Sequence, residues 1–174
     1  MPSDQAISFA TLVRTRQDDI CEALSSIDGT QFQLDDWERP GGGGGHTRIL
    51  QSSSFEKAGV NTSEVFGPIS EKETPMFSTL INKVDDTFQL TKKSHFYATG
   101  LSLVIHPKNP YVPTVHANYR YFECNNGLST IWWMGGGADL TPYYINEDDI
   151  THFHRVHHDV CENFQPGSYA NFKQ

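Results

Sequence analysis

Basic residues are scarce in this chain. Thirteen lysines and arginines stand against 21 aspartates and glutamates, a formal net charge of −8. A general nucleic-acid binder is usually basic, so that class is excluded. An anionic ligand must instead find a local group of cations against an unfavourable overall field. Cysteine is scarce too. Cys21, Cys124 and Cys161 are widely spaced, show no metal-ligand spacing and are odd in number. That excludes a disulfide framework and makes a reduced, cytoplasmic protein the default. No apolar run approaches transmembrane length. Met1 to Ala10 has no basic n-region, so no signal peptide is visible. Arg14 and Arg16, beside Asp18 and Asp19, are too few for a transit peptide. No internal repeat is present.

What remains is the composition of one globular domain over residues 1–174. Hydrophobic residues make up 37% and charged residues 20%, enough to bury a core. Ile7, Leu12, Val13, Ile20 and Leu24 recur at helical spacing and predict a helix over 5–27, ended by Asp28-Gly29. Residues 30–39 read as a short strand. Pro40 and Gly41 to Gly45 predict an abrupt break. Short strands are expected at 48–51 and 55–60, a polar loop at 67–75 and a short helix at 76–84.

The middle of the chain is plainer. Phe96 to His106 reads as a strand, and Pro107, Pro110 and Pro113 force a long turn. Thr114 to Glu123 is a second strand, Asn125-Asn126-Gly127 a turn, and Thr130 to Met134 a third strand. Gly135 to Gly137 is expected to break that strand. A helix over 146–163 follows, with Asn146 as N-cap and Glu147, Asp148 and Asp149 in its first turn. Strands joined by turns rather than crossover helices predict an antiparallel sheet flanked by α-helices, an α+β fold.

Side chains alternate along a strand. Thr114, His116, Asn118, Arg120 and Phe122 therefore share one face, and Ser102, Val104 and His106 share one face of the preceding strand. Two readings fit three successive polar groups: a solvated outward face, or a functional site whose groups find partners. The glycines at 41–45 lack the Lys-Ser/Thr ending of a phosphate loop, so a nucleotide site is not expected. Gly135 to Gly137 would let a bulky ligand approach, with Asp139 facing it. The other reading is a tight bend with Asp139 capping a turn. His152, His154, His157 and His158 lie on the helix expected over 146–163, where His154 can share a face with His157 and His158. A polar helical face and a metal site both fit, although no H-E-x-x-H pattern is present.

Four stretches carry a resemblance: WERPGGGGGHTRIL (37–50), FEKAGVN (55–61), ATGLSLVIHPKNPYVPTVHANYRYFE (98–123) and WWMGGGADLTPYY (132–144). DDITHFHRVHHDVC (148–161) is a weaker match. Together they resemble oxygen-dependent coproporphyrinogen III oxidases, from about residue 30 to the end. The resemblance implies an antiparallel sheet flanked by helices and a homodimer. It implies oxidative decarboxylation of two coproporphyrinogen III propionates to vinyl groups, giving protoporphyrinogen IX, with molecular oxygen as co-substrate. It implies no required cofactor. By position, His116 matches a proton donor, Ser102 and Asn118 to Arg120 (including Tyr119) match substrate contacts, and Asp139 matches an acid facing the macrocycle. His106 and His154 match positions proposed as divalent-metal ligands in some bacterial members.

Family members also have a second half that supplies further strands and substrate contacts. The expectation is therefore a domain incomplete at its C-terminus, inactive or weakly active alone. A non-catalytic porphyrin-binding or dimerising relic, and a metal-binding protein using the histidine-rich helix, are the alternatives.

Overall fold

A computed structural model describes residues 1–173. Helix α1 (Asp4–Asp28) precedes strands β1 (Gln33–Glu38), β2 (Gly43–Leu50) and β3 (Phe55–Pro68). Helix α2 (Thr74–Ile81) leads to β4 (His95–Pro107), β5 (Thr114–Asn125) and β6 (Thr130–Thr141). Helices α3 (Glu147–Phe164) and α4 (Ser168–Phe172) close the chain. The six strands pair in sequence order, every pair antiparallel. This is the expected α+β architecture. No helix among the described residues is long and apolar enough to cross a membrane.

Each end of α1 is set by local chemistry. The Ser3 hydroxyl accepts a hydrogen bond from the Ala6 amide, and Gly29 ends the helix in the left-handed region at φ 78°. The buried stripe differs from the expected one. Ile7 and Leu12 are exposed, while Ala6, Ala10, Val13, Gln17, Cys21 and Ser25 face the sheet. Small side chains let the helix lie close. The polar Gln17 is tolerated there because its amide donates to the His46 and Val60 carbonyls and accepts from the Thr62 hydroxyl.

Two layers cover different parts of the sheet. On one face α1 packs Val13 and Cys21 onto Val60, Leu101 and Leu103. On the other, Phe77, Ile81 and Phe88 pack onto Phe96, Phe122, Cys124 and Ile131, but only at one end of the strands. Among the described residues no layer covers the rest of this second face, and it is called the open face below.

One expected break is shorter than expected and another is absent. The chain turns at 39–42, and Gly43 to Gly45 belong to β2, paired with Val65 to Ser63. Strand β6 runs straight through Gly135 to Gly137 to Thr141, because their backbone groups pair with Arg120 to Asn118. Backbone pairing outweighs the weak strand propensity of glycine here. Strand β3 likewise extends to Pro68, well beyond 55–60. Helix α3 matches the helix expected over 146–163, with Asn146 Oδ1 accepting from the Asp148 and Asp149 amides.

Candidate functional site on the open sheet face

Register builds the site. Ser102 pairs with Asn118, and Asn118 with Gly137. Val104 pairs with His116, and His116 with Asp139. Gly100 pairs with Arg120, and Arg120 with Gly135. Directly paired residues point to the same side, so Ser102, His116, Asn118, Arg120 and Asp139 all share the open face.

His116 and Asp139 are in contact. The His116 Nδ1–H donates to Asp139 Oδ1 at 2.7 Å, and the Thr141 hydroxyl donates to the same oxygen at 3.2 Å. A carboxylate on Nδ1 fixes the imidazole tautomer with its hydrogen on Nδ1 and leaves Nε2 free to meet a ligand. The side chains are 39% and 60% exposed, so both remain within reach of a ligand. The His106 ring stands edge-on to His116, with centroids 6.0 Å apart. Arg120 makes no ion pair among the described residues and is exposed, leaving its guanidinium fork free for an incoming carboxylate.

Two expected residues fall elsewhere. The Tyr119 side chain lies on the opposite face, where its ring covers Gly136; a methyl group on Gly136 would meet Tyr119 Cδ1 at 2.9 Å. Only its backbone can serve the open face. His154 lies on α3, where its Nδ1 pairs with the Tyr169 hydroxyl at 2.8 Å. It borders a groove of about 660 Å³ with Tyr119, Met134 and Ala138, on the face away from His106. The fold therefore does not bring His106 and His154 together. Among the described residues no three His, Cys, Asp or Glu side chains gather as a metal site would require.

The register also adds residues that the sequence reading passed over. Asn61 pairs with Ser102, and Gly59 with Val104, so both join the open face. The signal was present as alternation along β3, where Ala58, Val60 and Thr62 are buried between them. For Asn61 it became readable only once β3 was known to run past residue 60.

Comparison with known proteins points one way. The family model described as coproporphyrinogen III oxidase matches residues 8–174. The chain is 44% identical over 173 residues to coproporphyrinogen-III oxidase 1, chloroplastic, of Arabidopsis thaliana, covering 95% of this chain and 44% of that protein. It is 44% identical over 175 residues to an oxygen-dependent coproporphyrinogen-III oxidase of Prochlorococcus marinus, covering 99% and 47%. The mitochondrial enzyme of Rattus norvegicus is 43% identical over 180 residues, covering 99% and 39%. The chain thus spans less than half the length of these curated relatives.

Proposed function

The chain belongs to the coproporphyrinogen III oxidase family, and on that premise we propose that it carries the His116, Asp139 and Arg120 portion of an oxygen-dependent coproporphyrinogen III oxidase site. The observation that carries this reading is the His116–Asp139 contact on a sheet face that also presents Arg120, Asn118 and Ser102.

The chemistry asks for these groups. Each propionate gives up carbon dioxide, one proton and two electrons to become a vinyl group, and molecular oxygen takes the electrons. His116, held through Nδ1 by Asp139, exchanges the proton through Nε2. Arg120 forks onto a substrate carboxylate, so that the reacting chain is placed rather than merely attracted. Ser102 and Asn118 donate to the macrocycle or its side chains. Gly135 and Gly137 leave the face flat where a tetrapyrrole would lie. In this reading no organic cofactor or metal takes part, the protein works as a homodimer, and its three free thiols suit a reducing, cytoplasmic setting.

The test is binding and turnover in one preparation of the chain. Coproporphyrin III is titrated by fluorescence, and coproporphyrinogen III is incubated under air while protoporphyrinogen IX is followed after oxidation to the porphyrin. The expected result is saturable binding weakened by Arg120→Ala. Product abolished by His116→Ala would place the whole reaction within these residues. A folded wild-type chain that binds no tetrapyrrole would overturn the reading. Light scattering tests the dimer.

A further inference from the structure

Glycine inside a strand weakens it, so each one calls for a cause. Nine glycines lie within strands here. The fold explains six. A methyl group would meet backbone at 2.0 Å on Gly43, 2.2 Å on Gly44 and 2.5 Å on Gly45. It would do so at 2.9 Å on Gly67, 2.5 Å on Gly100 and 2.4 Å on Gly136. Three have no such cause. A methyl group on Gly135 or Gly137 meets nothing within 4 Å, and one on Gly59 meets only Asn61 Nδ2, at 3.8 Å. None of the three has a positive φ. All three lie on the open face, in the cross-strand rows of Arg120, Asn118 and His116.

A second anomaly sits beside Gly59. The Asn61 side-chain oxygen is buried and accepts no hydrogen bond, an arrangement that costs free energy in a chain folded for stability alone. Asn61 stands one strand from Ser102 and two from Asn118 in a single row.

We infer that the ligand surface extends from β5 and β6 across β4 to β3, where Gly59 leaves room for the body of the ligand and Asn61 is a further positioning residue. The inference rests on the tetrapyrrole reading of the open face. Gly59 lies two strands from His116, about 10 Å at the usual strand spacing, so the surface is too wide for a small acid and suits a flat macrocycle. Asn61 turns its amide to a polar group of the bound ligand, and binding relieves the unpartnered oxygen.

The experiment measures coproporphyrin III affinity and thermal midpoint for Gly59→Val, Gly59→Ala, Asn61→Ala and Gly135→Val. The expected result is an unchanged or higher midpoint for the Gly59 variants. Binding should weaken about tenfold or more for Gly59→Val and Asn61→Ala, the scale of one lost anchoring contact. Full affinity in Gly59→Val, with affinity lost in Gly135→Val, would overturn the extension and leave the tetrapyrrole reading standing. A wild-type chain with no affinity would overturn both. A collapsed midpoint in Gly59→Ala would overturn the extension too, because the fold would then be the reason for the glycine.

Discussion

His116 and Asp139 stand directly opposite each other across the β5–β6 ladder, Nδ1 to Oδ1 2.7 Å apart. Strand register holds this pair, so its geometry is as fixed as the sheet itself. Both side chains reach solvent, and neither supports the core. Asp139→Asn is therefore expected to leave the urea midpoint unchanged. On the proposed reading, any turnover should fall on the order of a hundredfold, the usual contribution of a positioned acid–base group. Protoporphyrinogen IX formation per unit time is the measurement. Equal rates in Asp139→Asn and wild type would remove the pair from the reaction.

Neighbouring glycines of one triplet should respond oppositely. A methyl group on Gly136 meets Asn118 O at 2.4 Å and Tyr119 Cδ1 at 2.9 Å, whereas one on Gly137 meets nothing within 4 Å. Gly136→Ala is expected to cost about 1–3 kcal/mol through overpacking. Gly137→Ala should be neutral or stabilising by up to about 1 kcal/mol, since glycine is the weaker strand former. Urea unfolding of the two variants distinguishes these outcomes.

Alkaline stability should depend on Tyr121. Its side chain is fully buried, and its hydroxyl donates to Glu123 Oε2 at 2.9 Å. Burial, with the Glu123 hydrogen bond and charge adding to it, pushes its pKa up to about 12. A raised folded-state pKa means the folded chain holds the proton more tightly than the unfolded one. The associated stability is complete below the ordinary tyrosine value near 10 and is lost as pH rises from there through about 12. Tyr121→Phe should flatten that part of the stability–pH curve. At neutral pH it should also cost about 1–2 kcal/mol for the lost bond to a carboxylate.

The three thiols should separate by reactivity. Burial pushes the Cys124 thiol up to about 11, and burial also raises Cys21, offset by Arg48. Cys161 is the one only half-buried. Iodoacetamide at pH 8 should therefore modify Cys161 first, with Cys21 and Cys124 labelled only as the protein opens. Mass spectrometry of a time course reads the order.

Much of this architecture is legible in the residues. Proline turns and the Asn126-Gly127 signal mark the β4–β5–β6 meander, and period-2 alternation puts His116, Asn118 and Arg120 together before any register is known. Register itself is not legible, because cross-strand pairing depends on turn lengths and bulges such as the shift at Phe55 and Lys57. That is why Asn61 and Gly59 were missed, and why His106 and His154 could be grouped although the sheet separates them. Glycine runs misled for a different reason. Gly43 to Gly45 and Gly135 to Gly137 look like breaks in one dimension, but paired neighbours on both β2 and β6 supply the order that their own conformational freedom lacks. The buried stripe of α1 was displaced because alanine, serine and a fully bonded Gln17 carry little hydrophobic signal.

Ser3 has a consequence for how the chain comes to be folded. Its amide and hydroxyl donate to Glu123, 120 residues away, at 3.0 and 2.6 Å, while the same hydroxyl caps α1. The start of α1 is thus fastened to a strand made 120 residues later. Helix α1 must wait, small-residue stripe uncovered, until β3, β4 and β5 exist to receive it. A contact of such long sequence separation is slow to form. Nascent chains halted before β5 should be protease-sensitive at α1, and those halted just after it should not.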